Sequence, residues 1–277
     1  MKGPVRADRP RRGIPLRTIV PNAVTALALC SGLFGIRFGI GGEWDKAVAA
    51  VVIAAILDGL DGRIARLLNG QSRFGAELDS LSDVTAFGVA PAIILYLWVL
   101  EPLAQPGADF DRWTKYGWLF ALAYAVCAAL RLARFNANID SVEQPHKKAG
   151  FLTGVPAPAG AGLALAPIYL WEWTGHPVFR ETWLAAPWVA VVGFLMISNL
   201  ATFSWGSMRL RSHVRLGALV VIALIFAALI SAPFPTLSVA ALLYALMIPF
   251  SIASYAKVRR LRTIEPGRPE PPLAPEA

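Results

Sequence analysis

The chain has 277 residues, of which 56% are hydrophobic and 16% charged, and its mean hydropathy is +0.54. A soluble domain carries roughly 25% charged residues, so a water-soluble globular enzyme is excluded and a polytopic membrane protein is indicated. The net charge of +8 sits between apolar runs, which favours a membrane surface over nucleic acid as the partner.

Residues 1–21 form a basic leader. Within it, Arg9 to Val20 interleaves Ile14, Leu16, Ile19 and Val20 with arginines. Two readings stand side by side: a short amphipathic interfacial segment on the membrane surface, or a disordered basic leader. The basic N-terminus leads into the first apolar run without an A-x-A-like cleavage site, so that run is read as a retained span. About 20 apolar residues cross a bilayer as helix. Such runs lie near 22–40, 44–61, 81–100, 116–135, 152–171, 186–205, 216–232 and 236–255. The expected fold is therefore an all-α integral membrane protein of about eight transmembrane helices. The fifth run contains Pro156, Pro158 and Pro167, and a kinked helix is expected there, tolerated where neighbours re-satisfy the freed carbonyls. The tryptophans, among them Trp44, Trp98, Trp113 and Trp118, mostly flank the runs and read as interfacial belts. Cys30 and Cys127 lie in apolar runs and imply no disulfide framework. The expected organisation is a leader (1–21), a transmembrane core (22–205), two further helices (206–256) and a basic, then Pro-rich, disordered tail (257–277).

Eight spans put both termini on one side. The 26 lysines and arginines then divide very unequally. Lys46, Arg112, Lys115 and Arg180 fall on the far side, Arg37 falls inside the first span, and all the others fall on the side of the termini. By the positive-inside rule both termini face the cytoplasm, in the cell (inner) membrane.

Against this background four aspartates stand out. Asp58 and Asp61 end the second span, and Asp79 and Asp83 begin the third. Spacings of three and four put each pair on one helix face. Carboxylates at a bilayer edge are costly and mark a functional site. Capping accounts poorly for Asp58 and Asp61, because the dipole at a helix C-terminus disfavours anions. Two such pairs face to face make an oxygen-rich pocket for a divalent cation, Mg²⁺ or Mn²⁺ rather than zinc.

Residues 58–83 read D-x-x-D-G-x-x-A-R, eight residues, then G-x-x-x-D-x-x-x-D. This resembles the signature of the CDP-alcohol phosphotransferase family, with Asp58, Asp61, Gly62, Ala65, Arg66, Gly75, Asp79 and Asp83 at its fixed positions. Flanking segments are similar to the bacterial phosphatidylserine synthase branch: residues 19–32, 73–92, R-L-A-R-F-N (131–136), 150–161 and 195–204. Where that branch has a G-L-P-S-P type segment, this chain has G-V-P-A-P. The resemblance implies the fold of that family and transfer of a phosphatidyl group from CDP-diacylglycerol to L-serine with release of CMP. It implies Asp58, Asp61, Asp79 and Asp83 as metal ligands and Asp83 as the base. It implies Asn22, Thr25, Gly62, Ala65, Arg66, Ser72 and Gly75 around the CDP-lipid, and it implies a homodimer.

The residue chemistry agrees. A diphosphate repels a nucleophile until its charge is neutralised, and carboxylate-held cations do that as Lewis acids. Gly62 and Ala65 are small and one turn apart, which lets a nucleotide approach the backbone. Arg66 can grip phosphate bidentately. Arg131, Arg134 and Asn136 at the end of the fourth span are candidates for an acceptor carboxylate or a phosphate, against simple positive-inside anchoring. Lys147 and Lys148 read as anchors, and His146, His176 and His213 as solvated residues. Glycerol phosphate, inositol phosphate or choline remain alternative acceptors. A cation transporter is the alternative of another class, although its site belongs near the midplane.

Overall fold

The computed structural model describes the backbone of residues 16–100, 112–137, 151–203 and 212–264, and the side chains of residues 16–99, 117–137, 154–200 and 217–254. Leader residues 1–15, Lys147, Lys148 and His146, and the tail from 265 lie outside the described residues.

Helix α1 (Leu16–Ile40) is followed by α2 (Trp44–Leu67). A short loop leads to α3 (Arg73–Asp83), a π-helical turn (Val84–Val89) and α4 (Ala90–Leu100). Then come α5 (Arg112–Ala137), strand β1 (Phe151–Thr153), α6 (Ala157–Ala164) and α7 (Ala166–Thr174). A 3₁₀ turn (Pro177–Arg180) leads to α8 (Thr182–Ile197), β2 (Ala201–Phe203), α9 (Ser212–Ser231) and α10 (Pro233–Ile264). Residues 16–20, expected in an interfacial segment, are the opening turns of α1, which continues through Pro21 without a break.

Four helical segments among the described residues are long and apolar enough to cross a membrane: Leu16–Ile40, Arg73–Val99, Gly117–Ala137 and Pro233–Ser254. Helix α2 has the length, but Asp58, Asp61, Arg63 and Arg66 charge its end. Thr182–Ile197 and Gly217–Ser231 are apolar and shorter. The fifth run is not one helix. It opens as β1, whose Phe151, Leu152 and Thr153 pair antiparallel with Phe203, Thr202 and Ala201 of β2. It then forms α6 and α7, which break at Leu165 just ahead of Pro167. The ribbon is a small addition to an architecture that is otherwise helical among the described residues, as expected. Its strands are short β-branched and aromatic stretches, and Gly154, at φ +73°, turns the chain out of β1.

The core is built on close helix contacts. Glycines 32, 35 and 39 line one face of α1 and let α2 and α4 come near, as small residues do in membrane helix packing. Phe87, Ile94, Trp98, Tyr124, Ile168 and Tyr169 are fully enclosed. Many leucines and phenylalanines of α9 and α10 remain outward-facing, as lipid contact requires.

The tryptophan belt is only partly found. Trp118 is exposed, but Trp44 and Trp98 are buried. With Trp171 they surround the Arg180 guanidinium, at 6.0, 5.5 and 5.0 Å from its carbon to the ring centres. Arg180 Nε also donates to the Trp98 carbonyl at 3.0 Å. A cation over aromatic faces is favourable.

Candidate active site

Helix α2 delivers Asp58 and Asp61 on its last turns, and α3 delivers Asp79 and Asp83. The connection turns at Asn69, which has φ +49°. Ser72 then caps α3: its side-chain oxygen accepts from the Gly75 amide at 3.0 Å, satisfying one orphan donor of the first turn. The two acidic helix faces meet. Oxygens of Asp58, Asp61 and Asp79 lie within 4.8 Å of one another.

Each aspartate has a distinct setting. Asp61 is buried, only 5% exposed. Thr25 of α1 donates its hydroxyl to Asp61 Oδ2 at 2.6 Å, with the Pro21 carbonyl as a second acceptor at 3.1 Å. Asp58 and Asp83 are within hydrogen-bonding reach of each other. Asp83 stands outside the close trio, and its Oδ1 is buried with no hydrogen-bond partner. No Lys or Arg nitrogen lies within 4 Å of the four carboxylates among the described residues. An oxygen-only donor set with an orphaned acceptor beside it, and no Lys or Arg nitrogen within 4 Å among the described residues, fits a hard divalent ion, Mg²⁺ or Mn²⁺.

Beside the trio lies an open cleft of about 380 Å³. Its walls include Asn22, Thr25, Gly62, Ala65, Arg66, Ser72 and Gly75, together with Asp61 and Asp79. Every residue expected around the CDP-lipid therefore lines one cavity. The added Cβ of a residue at Gly62 would meet nothing within 4 Å, so the backbone there is open to a ligand. Arg66 is exposed, and its Nε donates to the Gly62 carbonyl at 3.0 Å.

The candidate acceptor residues separate. Arg131 is partly buried, interacts electrostatically with Asp83, Tyr244 and Tyr124, and has a buried Nε without a partner. Arg134 turns away and donates to Asn199 Oδ1 at 2.7 Å. Asn136 Nδ2 donates to Ser80 Oγ at 2.8 Å, next to Asp79. His176 sits on a loop against Phe179. The sequence reading did not single out Tyr124 and Tyr244, which are spaced like ordinary apolar-span residues.

A profile of CDP-alcohol phosphatidyltransferases matches residues 18–197. The chain belongs to the CDP-alcohol phosphatidyltransferase family. A second family profile, CDP-alcohol phosphatidyltransferase 2, matches residues 213–249, in α9 and α10. The CDP-diacylglycerol–serine O-phosphatidyltransferase of Mycobacterium leprae is 38% identical over 244 residues, 88% of this chain and 77% of that protein. The enzyme of the same name from Helicobacter pylori is 35% identical over 182 residues, 66% of this chain and 70% of its own. An archaetidylserine synthase of Methanothermobacter thermautotrophicus is 32% identical over 186 residues, 65% and 68% of the two chains.

In this CDP-alcohol phosphatidyltransferase, Gly75 allows α1 and α3 to touch. A Cβ there would lie 2.6 Å from Asn22 Oδ1 and 3.1 Å from Ser72 Oγ. Gly75→Ala must displace Asn22 from the cleft wall. Because the clash is with side-chain ends rather than backbone, Tm in detergent should stay near wild type while CDP-diacylglycerol binding weakens.

Proposed function

We propose that this chain transfers the phosphatidyl group of CDP-diacylglycerol to L-serine and releases CMP. The observation that carries the reading is the cleft itself. Small and phosphate-gripping residues along one wall adjoin three converging carboxylates, and relatives matching 88% and 66% of this chain are CDP-diacylglycerol–serine O-phosphatidyltransferases by name.

Asp58, Asp61 and Asp79 would hold the cation, with Asp83 within reach of it. Bound there, it would neutralise diphosphate charge as a Lewis acid. Gly62 and Ala65 admit the nucleotide, while Arg66, Ser72 and Asn22 contact its phosphates. Asp83 takes the proton of the serine hydroxyl. The serine oxygen forms a bond to the β-phosphorus, the bond from that phosphorus to the bridging oxygen breaks, and CMP leaves with the electron pair. Arg131 is the acceptor-side cation we favour, because it interacts electrostatically with Asp83 while Arg134 donates to Asn199. The acyl chains remain in lipid.

The bias of lysine and arginine supports eight crossings with both termini and the site on the cytoplasmic side of the cell membrane. The family resemblance supports a homodimer, which cross-linking in native membranes would register.

The test uses purified protein, CDP-diacylglycerol and Mn²⁺ with serine, glycerol phosphate, inositol phosphate or choline supplied separately. Serine-dependent CMP release is expected. Release with glycerol phosphate and not with serine overturns the acceptor, and release with none overturns the reaction.

Thr25 gives a quieter check. Its hydroxyl orients the Asp61 carboxylate, and partners of metal ligands typically contribute 10- to 100-fold in affinity. Thr25→Val should weaken Mn²⁺ binding by about tenfold or more on that basis, with saturating Mn²⁺ restoring most of the turnover.

A further inference from the structure

We infer that Tyr124 is a positioning residue that sets the aim of Asp83 through the π-helical turn following it. This rests on Asp83 acting as the base of the reaction proposed above.

The turn begins in the residue after Asp83 and ends at Val89, with the Ala90 amide donating five residues back to the Thr85 carbonyl. Its cause is legible in the chain. Pro91 stands four residues after Phe87 and has no N–H, and a proline ring clashes with the carbonyl four residues before it. The Phe87 carbonyl therefore cannot take its ordinary α-helical donor. Tyr124 of α5 supplies one: its hydroxyl donates to the Phe87 carbonyl at 2.8 Å, with both residues fully buried. On the near side of the turn, the Thr85 hydroxyl donates to the Leu81 carbonyl at 2.9 Å.

Neighbouring helices grip the same turn from two directions. A Cβ at Gly32 of α1 would lie 2.7 Å from the Ala86 Cα, and one at Gly88 would lie 3.1 Å from the Ala128 Cβ on α5. Helix α4 is held beyond the turn by the fully buried Ile94 and Trp98. Returning the turn to α-helical register would rotate α3 against α4 by about 100°, one residue's worth of helix. Asp79 and Asp83 would swing away from Asp58 and Asp61. Irregular π turns of this kind are concentrated at functional sites. Here the turn has an identified cause, an identified clamp and an acidic side chain at its edge.

The test compares the wild type with Tyr124→Phe and Pro91→Ala in the full chain, using CMP release with CDP-diacylglycerol, serine and Mn²⁺. Tyr124→Phe keeps the ring and removes only the hydroxyl. We expect kcat to fall by about ten- to a hundredfold, the scale of a small misplacement of a reacting group. KM for both substrates should stay near wild type, and Tm should fall modestly, because the buried Phe87 carbonyl loses its donor. Pro91→Ala restores an N–H to the Phe87 carbonyl and favours the α register. It should lower kcat while Tm is unchanged or higher, a combination that a merely structural role does not produce. Wild-type turnover in Tyr124→Phe overturns the inference, as does a joint fall of kcat and Tm in both variants. If Tyr124→Phe does not fold, Pro91→Ala decides alone, and its turnover at the wild-type level overturns the inference. A wild type that releases no CMP removes the reaction reading and this inference with it.

Discussion

Asp83→Asn lowers kcat by about 10²–10⁴-fold, the usual contribution of a positioned base, and leaves CDP-diacylglycerol binding within a few-fold of wild type. Asparagine preserves the shape and one oxygen of the side chain but cannot accept a proton. Three features single out Asp83. It stands outside the trio of carboxylates whose oxygens converge. Its Oδ1 is enclosed without a hydrogen-bond partner. Arg131 of α5, the acceptor-side candidate, interacts with it electrostatically. The CDP-lipid cleft is lined by Asp61 and Asp79 and does not include Asp83, which is why substrate binding should survive. Equilibrium binding of CDP-diacylglycerol and single-turnover CMP release separate the two quantities. Equal loss of binding and turnover would make Asp83 chiefly a metal ligand.

Much of this site was legible in the chain because its logic is local. Asp58 with Asp61, and Asp79 with Asp83, share helix faces by spacing alone, and Gly62, Ala65 and Arg66 follow on the same helix. Ser72 and Gly75 lie just past the one tight loop. What sequence could not supply was long-range. Thr25 reaches Asp61 from α1, and Asn136 reaches Ser80 from α5. Neither pairing leaves a periodic trace. Arg131 and Arg134 looked equivalent as a pair three apart, yet Asn199, across a packed helix, captures only Arg134. The π turn has a local cause in Pro91, but its clamp does not: Tyr124 reaches the Phe87 carbonyl from another helix. Trp44 and Trp98 were assigned to a belt from position alone. Both are packed in the apolar core, and Arg180, far along the chain, gives them a common partner.

Withdrawing divalent metal abolishes CMP release, and Mn²⁺ or Mg²⁺ restores it. The thermal signature distinguishes the metal site from an incidental requirement. Three carboxylates within 4.8 Å, without a protein cation beside them among the described residues, repel one another when ionised. At an effective dielectric of about 20 this repulsion is on the order of 3 kcal/mol per pair. A cation that binds only the folded protein relieves it and stabilises the fold by about 2.7 kcal/mol at a hundredfold excess over Kd. Wild-type Tm should therefore rise with Mn²⁺. Asp61→Asn deletes one of the repelling charges and keeps a group that can pair with Thr25. In the absence of metal it should match or exceed the stability of the metal-free wild type, yet gain almost nothing from Mn²⁺ and turn over at background rate. Asp61 should be more sensitive than Asp79, because it is the buried member held by Thr25, and surrounding water cannot readily replace its oxygen. A Mn²⁺-dependent rise in Tm of wild-type size in Asp61→Asn would exclude this carboxylate as a ligand.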